Sequence, residues 1–561
     1  MNDLFGVYGV PDPARALWSL GITPAWSDPD VAFGGVPVWA DSSGTVMVSG
    51  EVILDNADDL RQRLDQPQAE AGALLAHLAL CHGDAVGKHA RGMFAVALWN
   101  TREKTLTLLR DGVGARTLYY AAPGRACWFG ARLRALRRCP AVSGELSLPA
   151  LRDYLACAFV PGAQTLWRDV SELRPGTTQT WPGGEAKTYW EPAEDASGWA
   201  DPMEAHAARL RALLEEAVRD CLPPSGPTGL FLSGGLDSSL VAALAARDAP
   251  GPLHTFAIHF GPEYPHELEY SDLVARHCGT HHHVIALPAK RIREALPETM
   301  EALDDPIGDP LTTPNLILGR AAASETGVVL NGEGGDPCFG GPKNLPMLLH
   351  ELYGQENDRA GAYLRAFQKC YDDLPRLLLP DVRASLRASP PPEAFFTPLL
   401  DDEAAGHYLN RLMSVNTRFK GADHILTKVS NLTSACGLVG RSPLFDRRVV
   451  AASFTIPPQF KLSGASEKAV LKRAVADLLP DIILTRPKSG MLVPVQGWFA
   501  RDLRPMARSL LLGRRARIRP YLDQTLVREW LEGRPHLRPR AGVKLWLLLT
   551  LELWLRVNER E

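Results

Sequence analysis

The chain has 561 residues, 61 Lys and Arg against 64 Asp and Glu, and a formal net charge of −3. That length exceeds what one hydrophobic core holds, so two or three domains are expected, and the near balance of charge excludes a global field for nucleic acid or a membrane surface. Nine scattered cysteines without a C-x-x-C pair speak against structural zinc or a disulfide framework and predict free thiols in a cytoplasmic protein.

At the start, "MNDLFGVYGVPDPAR" carries Asp3 where a signal peptide needs a basic segment, so no export signal is predicted. Up to about Trp190, short β-like runs such as "GTVMVSGEVIL", "RGMFAVALWN" and "TLTLLRD" alternate with Gly, Pro, Asp and Asn. The polar stretch from Glu191, "EPAEDASGWADPMEA", reads as a linker before a helix from about Met203 to Cys221. Domains of residues 1–195 and 200–561 follow. After the linker, "GLFL", "LHTFAIHF", "HHVIAL" and "GVVLNG" alternate with helical segments, which predicts βαβ units in a parallel sheet whose ligands sit beyond the carboxyl ends of the strands. Glu351 to Leu400 reads as helical with a break at Pro390 to Pro392, and is expected to wall an acceptor cleft. Near the end, "VKLWLLLTLELWLRV" is interrupted by Lys544, Glu552 and Arg556 and is short for a membrane span, so a buried amphipathic helix is predicted.

Two strand-to-helix turns stand out. In "GLFLSGGLDSSLVAALAA", adjacent glycines let successive N–H groups converge on an anion at a helix N-terminus. In "VVLNGEGGDPCFGG", Gly332-Glu333-Gly334-Gly335-Asp336 again follows a strand with a tight backbone and a carboxylate. If Asp237 and Asp336 converge, they suit a hard cation such as Mg²⁺ shared with phosphate oxygens. Taken alone, each turn is equally a plain loop. The Walker pattern is absent, because Asp237 and Ser238 stand where its lysine belongs. The triplet His281-His282-His283 invites a metal, but neighbouring side chains on a strand point to opposite faces, so a structural role is expected.

"SGGLDSS" resembles the pyrophosphate loop of the PP-loop ATP pyrophosphatases, and its combination with "NGEGGDPCFGG" resembles the asparagine synthetases. "RGMFAVALWN", "LLRDGVGARTLYY" and "FVPGAQTLWRDVSELRPG" resemble that family's glutaminase-like domain, and "GRSPLFDRRVV" and "LPDIILTRPKSGM" its late synthetase motifs. The resemblance implies an α/β protein: an N-terminal Ntn-hydrolase-like β-rich sandwich, then a PP-loop synthetase domain with a parallel sheet. It further implies that MgATP adenylates a substrate carboxylate, pyrophosphate leaves, and an amine attacks the acyl-AMP. Carried over by motif, Asp237 and Asp336 would hold Mg²⁺. Ser233, Gly234, Gly235, Ser238 and Ser239 would hold the pyrophosphate, and Leu232, Ile258 and Gly332 would line the nucleotide. Lys488 matches the lysine near the α-phosphate, and Glu333 an acidic position suited to taking a proton from the amine. Glu267 and His282 match family positions without an assigned chemistry.

The pattern also breaks. Glutamine hydrolysis in this family needs a cysteine directly after the initiator methionine, yet position two is Asn2 and no cysteine precedes Cys81. The glutamine-gripping motif reads "SGEVILDN", keeping Gly50 and Glu51 but losing flanking asparagines. A glutaminase fold without glutaminase activity is expected, with the amine supplied by free ammonia or by the substrate itself. The family's β-lactam and carbapenam synthetases and lasso-peptide macrolactam cyclases share that absence. Glu333 stands where the β-lactam branch carries tyrosine, and Pro337 replaces the usual acidic residue at the loop's exit. An amide-forming enzyme that closes a ring on a peptide is the leading expectation, with a precursor peptide and biosynthetic partner proteins. An ammonia-dependent asparagine synthetase and a non-catalytic interaction protein are the alternatives. The acyl and amine substrates and the oligomeric state are left open.

Overall fold

The computed structural model describes residues 3–341, 344–354, 358–367, 369–463, 466–487, 490–533 and 540–558. They form two units. The first comprises the chain up to Ala150 with Gly162–Pro192 and Gly421–Thr427; the second comprises Leu151–Pro161, Ala193–Lys420 and the chain from Lys428 onward. Two short segments are thus exchanged across the boundary that the linker suggests.

In the first unit the short apolar runs pair into two six-stranded sheets. One sheet runs in space Ser171–Glu172, Tyr119–Ala121, Cys127–Gly130, Phe5–Tyr8, Val31–Gly34, Pro24–Asp28. The other runs Ala186–Thr188, Thr177–Trp181, Thr105–Arg110, Gly92–Asn100, Val46–Leu54, Val38–Ala40. "GMFAVALWN" is apolar almost throughout because both its faces are covered. Ala95, Ala97 and Trp99 enter one core with Phe33, Leu106 and Phe129, while Phe94, Val96 and Leu98 enter a second with Leu74, Leu75 and Leu78 of the helix Ala71–His82.

The second unit is built on a five-stranded parallel sheet. Its strands are β1 (Thr228–Phe231), β2 (Leu253–His259), β3 (His281–Ala286), β4 (Val328–Leu330) and β5 (Val439–Arg441), in spatial order β3-β2-β1-β4-β5. The order reverses at β1, where β2 lies on one side and β4 on the other, and a crevice opens beyond the strand ends at such a point. The helix before the sheet spans Met203–Cys221, the bounds its pattern predicts.

The C-terminal helix, Ala541–Val557, is buried as expected, but shows little of the expected polar face. It is buried on all sides from Ala541 to Leu555 apart from Val543 and Lys544. Glu552 is fully buried, and its carboxylate accepts the Ile518 N–H at 3.0 Å and the Arg556 guanidinium at 2.6 Å, so one charge is matched inside the core. Among the described residues no helix is long and apolar enough to cross a membrane.

Candidate functional site

Two strand-to-helix turns leave neighbouring strands at the same end of the sheet. The first joins β1 to α1 (Leu236–Asp248), and the second joins β4 to the short helix α3 (Gly335–Phe339); α2 is Leu268–Cys278. Parallel pairing of Leu230 with Leu330 sets them side by side. A Cβ on Gly332 would lie 2.4 Å from the Ser238 nitrogen, and one on Gly335 would lie 2.1 Å from Asp237 Oδ1, so glycine is what lets the loops touch. Pro337 falls in the first turn of α3, where a missing N–H costs no helix bond.

Within the first turn, the Ser233 N–H donates to Ser238 Oγ at 3.2 Å and the Gly235 N–H to Ser233 Oγ at 3.3 Å. Gly234 holds φ +77, which folds the turn back on itself. Ser233, Gly234, Gly235, Asp237 and Ser238 therefore share one rim. Ser239 stands apart, fully buried, with a hydroxyl that has no hydrogen-bond partner among the described residues. Leu232 and Ile258 are buried at the ends of the two adjoining strands, the Leu232 N–H donating to the Phe256 carbonyl at 2.9 Å. Lys488 lies outside the described residues.

Asp237 and Asp336 converge on Lys468. Its ammonium donates to Asp237 Oδ1 and Oδ2 at 2.8 and 2.6 Å and pairs with Asp336 Oδ1 at 2.6 Å. Burial pulls the Lys468 pKa down, but the two carboxylates outweigh it and leave it raised, so the side chain is a permanent cation. Lys468 also holds a left-handed backbone, φ +53, an uncommon conformation for a side-chain-bearing residue. Sequence reasoning missed it, because a lysine just before a helical run normally reads as a solvated surface residue.

The carboxylate pair also fits a divalent cation. Both carboxylates reach solvent, and a carboxylate oxygen can serve an ammonium and a metal ion at once. Among the described residues no group of three or more Asp, Glu, His or Cys gathers for a metal. A cation held here would complete its shell from phosphate oxygens and water, the habit of Mg²⁺.

Glu333 is half-buried at the mouth of the second loop, its N–H capped by Asn331 Oδ1 at 3.0 Å. Behind the site Lys428 is buried and donates to Asp309 Oδ2 at 2.7 Å. Burial lowers its pKa, and the charges of Asp309 and Glu333 more than restore it. Glu267 pairs with Arg486. His282 bonds Thr255 at 2.8 Å, whereas His281 and His283 turn toward His254, so the triplet splits between the faces of β3.

In the first unit, Glu51 is engaged by Arg116 Nε at 2.8 Å, and Arg116 is itself buried. Cys81 is exposed on the outer helix, while Cys127 lies buried in its strand with a thiol pushed well up by burial, far from a reactive thiolate. Asn2 lies outside the described residues.

The family model described as asparagine synthase matches residues 209–556, and that described as a glutamine amidotransferase domain matches residues 30–190. The chain is similar to asparagine synthetase [glutamine-hydrolyzing] 1 of Bacillus subtilis, 25% identical over 94% of this chain and 88% of that protein. It is similar to asparagine synthetase [glutamine-hydrolyzing] 3 of the same organism, 25% identical over 82% of this chain and 78% of that protein. The enzyme of the same description from Asparagus officinalis is 27% identical over 82% of this chain and 67% of its own length.

Proposed function

The chain belongs to the asparagine synthase family, and from that premise we propose that it is an ATP-dependent amide-bond synthetase that adenylates a carboxylate and releases AMP and pyrophosphate. The observation that carries the reading is the convergence of Asp237, Asp336 and Lys468 at the switch point of the sheet. The first turn offers the Ser233 and Ser238 hydroxyls and the N-terminus of α1 to the β and γ phosphates. Lys468 supplies a fixed positive charge beside the leaving pyrophosphate, and buried fixed charges of this kind need no reorganisation as charge develops. Asp237 and Asp336 would hold Mg²⁺, which when bound neutralises phosphate charge and orients the chain for in-line attack. Glu333 takes the proton from the attacking amine, and Lys488 is assigned to the α-phosphate.

For the amine, we infer a source other than glutamine. The carboxylate of Glu51 is already paired with Arg116, and burial pushes the thiols of Cys127 and Cys139 up, away from a reactive thiolate. The substrate's own amine then closes an amide within one molecule, as in a macrolactam formed on a precursor peptide, with the first unit as scaffold for the peptide and its processing proteins. We place this chemistry in the cytoplasm, in keeping with nine cysteines that form no disulfide.

ATP–pyrophosphate exchange with purified protein and Mg²⁺, across aspartate and a panel of amino-acid and peptide carboxylates, tests the reading. Exchange that needs one acid and falls about a hundredfold in Asp237→Ala, with AMP released once the amine is supplied, supports it. Absence of exchange together with absence of MgATP binding overturns it in favour of an interaction protein on the same fold.

A further inference from the structure

Arg486 joins the first phosphate loop to α2. One guanidinium nitrogen lies on the Glu267 carboxylate, Nη2 donates to the Gly234 carbonyl at 2.9 Å, and the guanidinium centre stands 4.0 Å from the middle of the Tyr270 ring. The Arg486 side chain is only 9% exposed, so these contacts form in a shielded setting. The loop meets α2 at the one residue type that fits, since a Cβ on Gly234 would lie 2.5 Å from the Ser271 nitrogen.

The consequence follows from peptide geometry. A trans peptide directs its C=O and the following N–H to opposite sides. With the Gly234 carbonyl on Arg486, the Gly235 N–H faces the inner side of the loop, 3.3 Å from Ser233 Oγ. Glycine on both sides of this plane removes the steric barrier that holds other peptides in place. A half-turn of the plane would aim a carbonyl dipole, in place of an N–H, at any anion in the loop.

We propose that Arg486 is a positioning residue that fixes the Gly234–Gly235 peptide plane and so keeps the first loop a phosphate cradle, with Glu267 and Tyr270 as its anchor. The inference rests on the reading of this loop as the pyrophosphate site. Two measurements on the full chain test it: calorimetric binding of Mg-pyrophosphate, MgATP and AMP, and hydrogen exchange of the segment 232–240 without ligand. In Arg486→Met, pyrophosphate and ATP binding should weaken by about tenfold or more while AMP binding stays within twofold, and the loop amides should exchange faster than those later in α1. Arg486→Lys, which can still reach the carbonyl, should recover part of both. Glu267→Gln keeps the guanidinium and loosens its anchor, so a smaller loss of the same selectivity is expected, and it serves should Arg486→Met fail to fold. Parallel weakening of all three ligands, or unchanged loop exchange, overturns the proposal. Wild-type protein that binds neither pyrophosphate nor ATP removes the reading beneath it as well.

Discussion

Asp237 and Asp336 share one buried ammonium, with Lys468 Nζ at 2.6 Å from the nearer oxygen of each. This pairing ties two loops from different strands to the residue that opens the helix Ala469–Ala474. Neither carboxylate pays the full repulsion of facing the other.

Removing that cation should expose the repulsion. Lys468→Met is expected to lose about 3 kcal/mol, the low end for breaking a buried ion pair, because both carboxylates are partly solvated. The melting temperature should fall by several degrees, and added Mg²⁺ should raise it more in the variant than in the wild type. Calorimetric melting with and without Mg²⁺ checks both effects; a variant as stable as wild type at low Mg²⁺ contradicts them.

Asp237→Ala leaves Lys468 with Asp336 and should fold. Pyrophosphate exchange should nevertheless fall on the order of a hundredfold, the usual loss when a fixed electrostatic partner of the reacting phosphates is removed. Exchange rates at saturating Mg²⁺ distinguish lost chemistry from lost metal affinity.

Lys461 carries a pH signature. It is fully buried, donating to Asn410 Oδ1 at 2.6 Å, and burial outweighs the attraction of Glu194 to bring its pKa from 10.5 down to about 7. The unfolded chain keeps this proton up to its ordinary value, so between the two values it binds more protons than the folded chain and stability rises with pH. The penalty is present in full below about 7 and fades toward 10.5. Lys461→Met should therefore melt higher than wild type at pH 6, and the difference should shrink or reverse by pH 9.5, where the unpaired Asn410 carbonyl is the remaining cost. Melting curves across that range decide it.

Glu51→Ala should separate the two units in function. It leaves the buried Arg116 without its 2.8 Å partner and should destabilise the first unit by about 1 to 3 kcal/mol. Wild type should release no glutamate from glutamine, and the substitution should leave pyrophosphate exchange within twofold. Glutamate release by the wild-type protein would refute the reading of the first unit.

Much of this architecture is legible in the chain itself. The helix Met203–Cys221, the run "GMFAVALWN" and the strands before both glycine turns are local patterns, set by which residues alternate and where Gly and Pro interrupt them. The two turns announce themselves for the same reason, since close backbone approach needs glycine at fixed places. Even the C-terminal helix was readable as a buried helix, though the sequence could not show that Glu552 would be fully buried and paired with Arg556.

What tertiary structure decided is which distant charges meet. Lys468, Arg486, Lys428 and Arg116 are ordinary basic residues in sequence, and each becomes specific by the carboxylate or carbonyl it faces: Asp237 and Asp336, Glu267 and Gly234, Asp309, and Glu51. Local periodicity reports burial along one element, whereas the partner of a buried charge comes from strand order and loop packing. The sequence by itself determined the elements and the phosphate-type turns; the fold alone determined that two acidic turns close on one lysine, because only a three-dimensional neighbourhood can bring counter-charges together and remove the water between them.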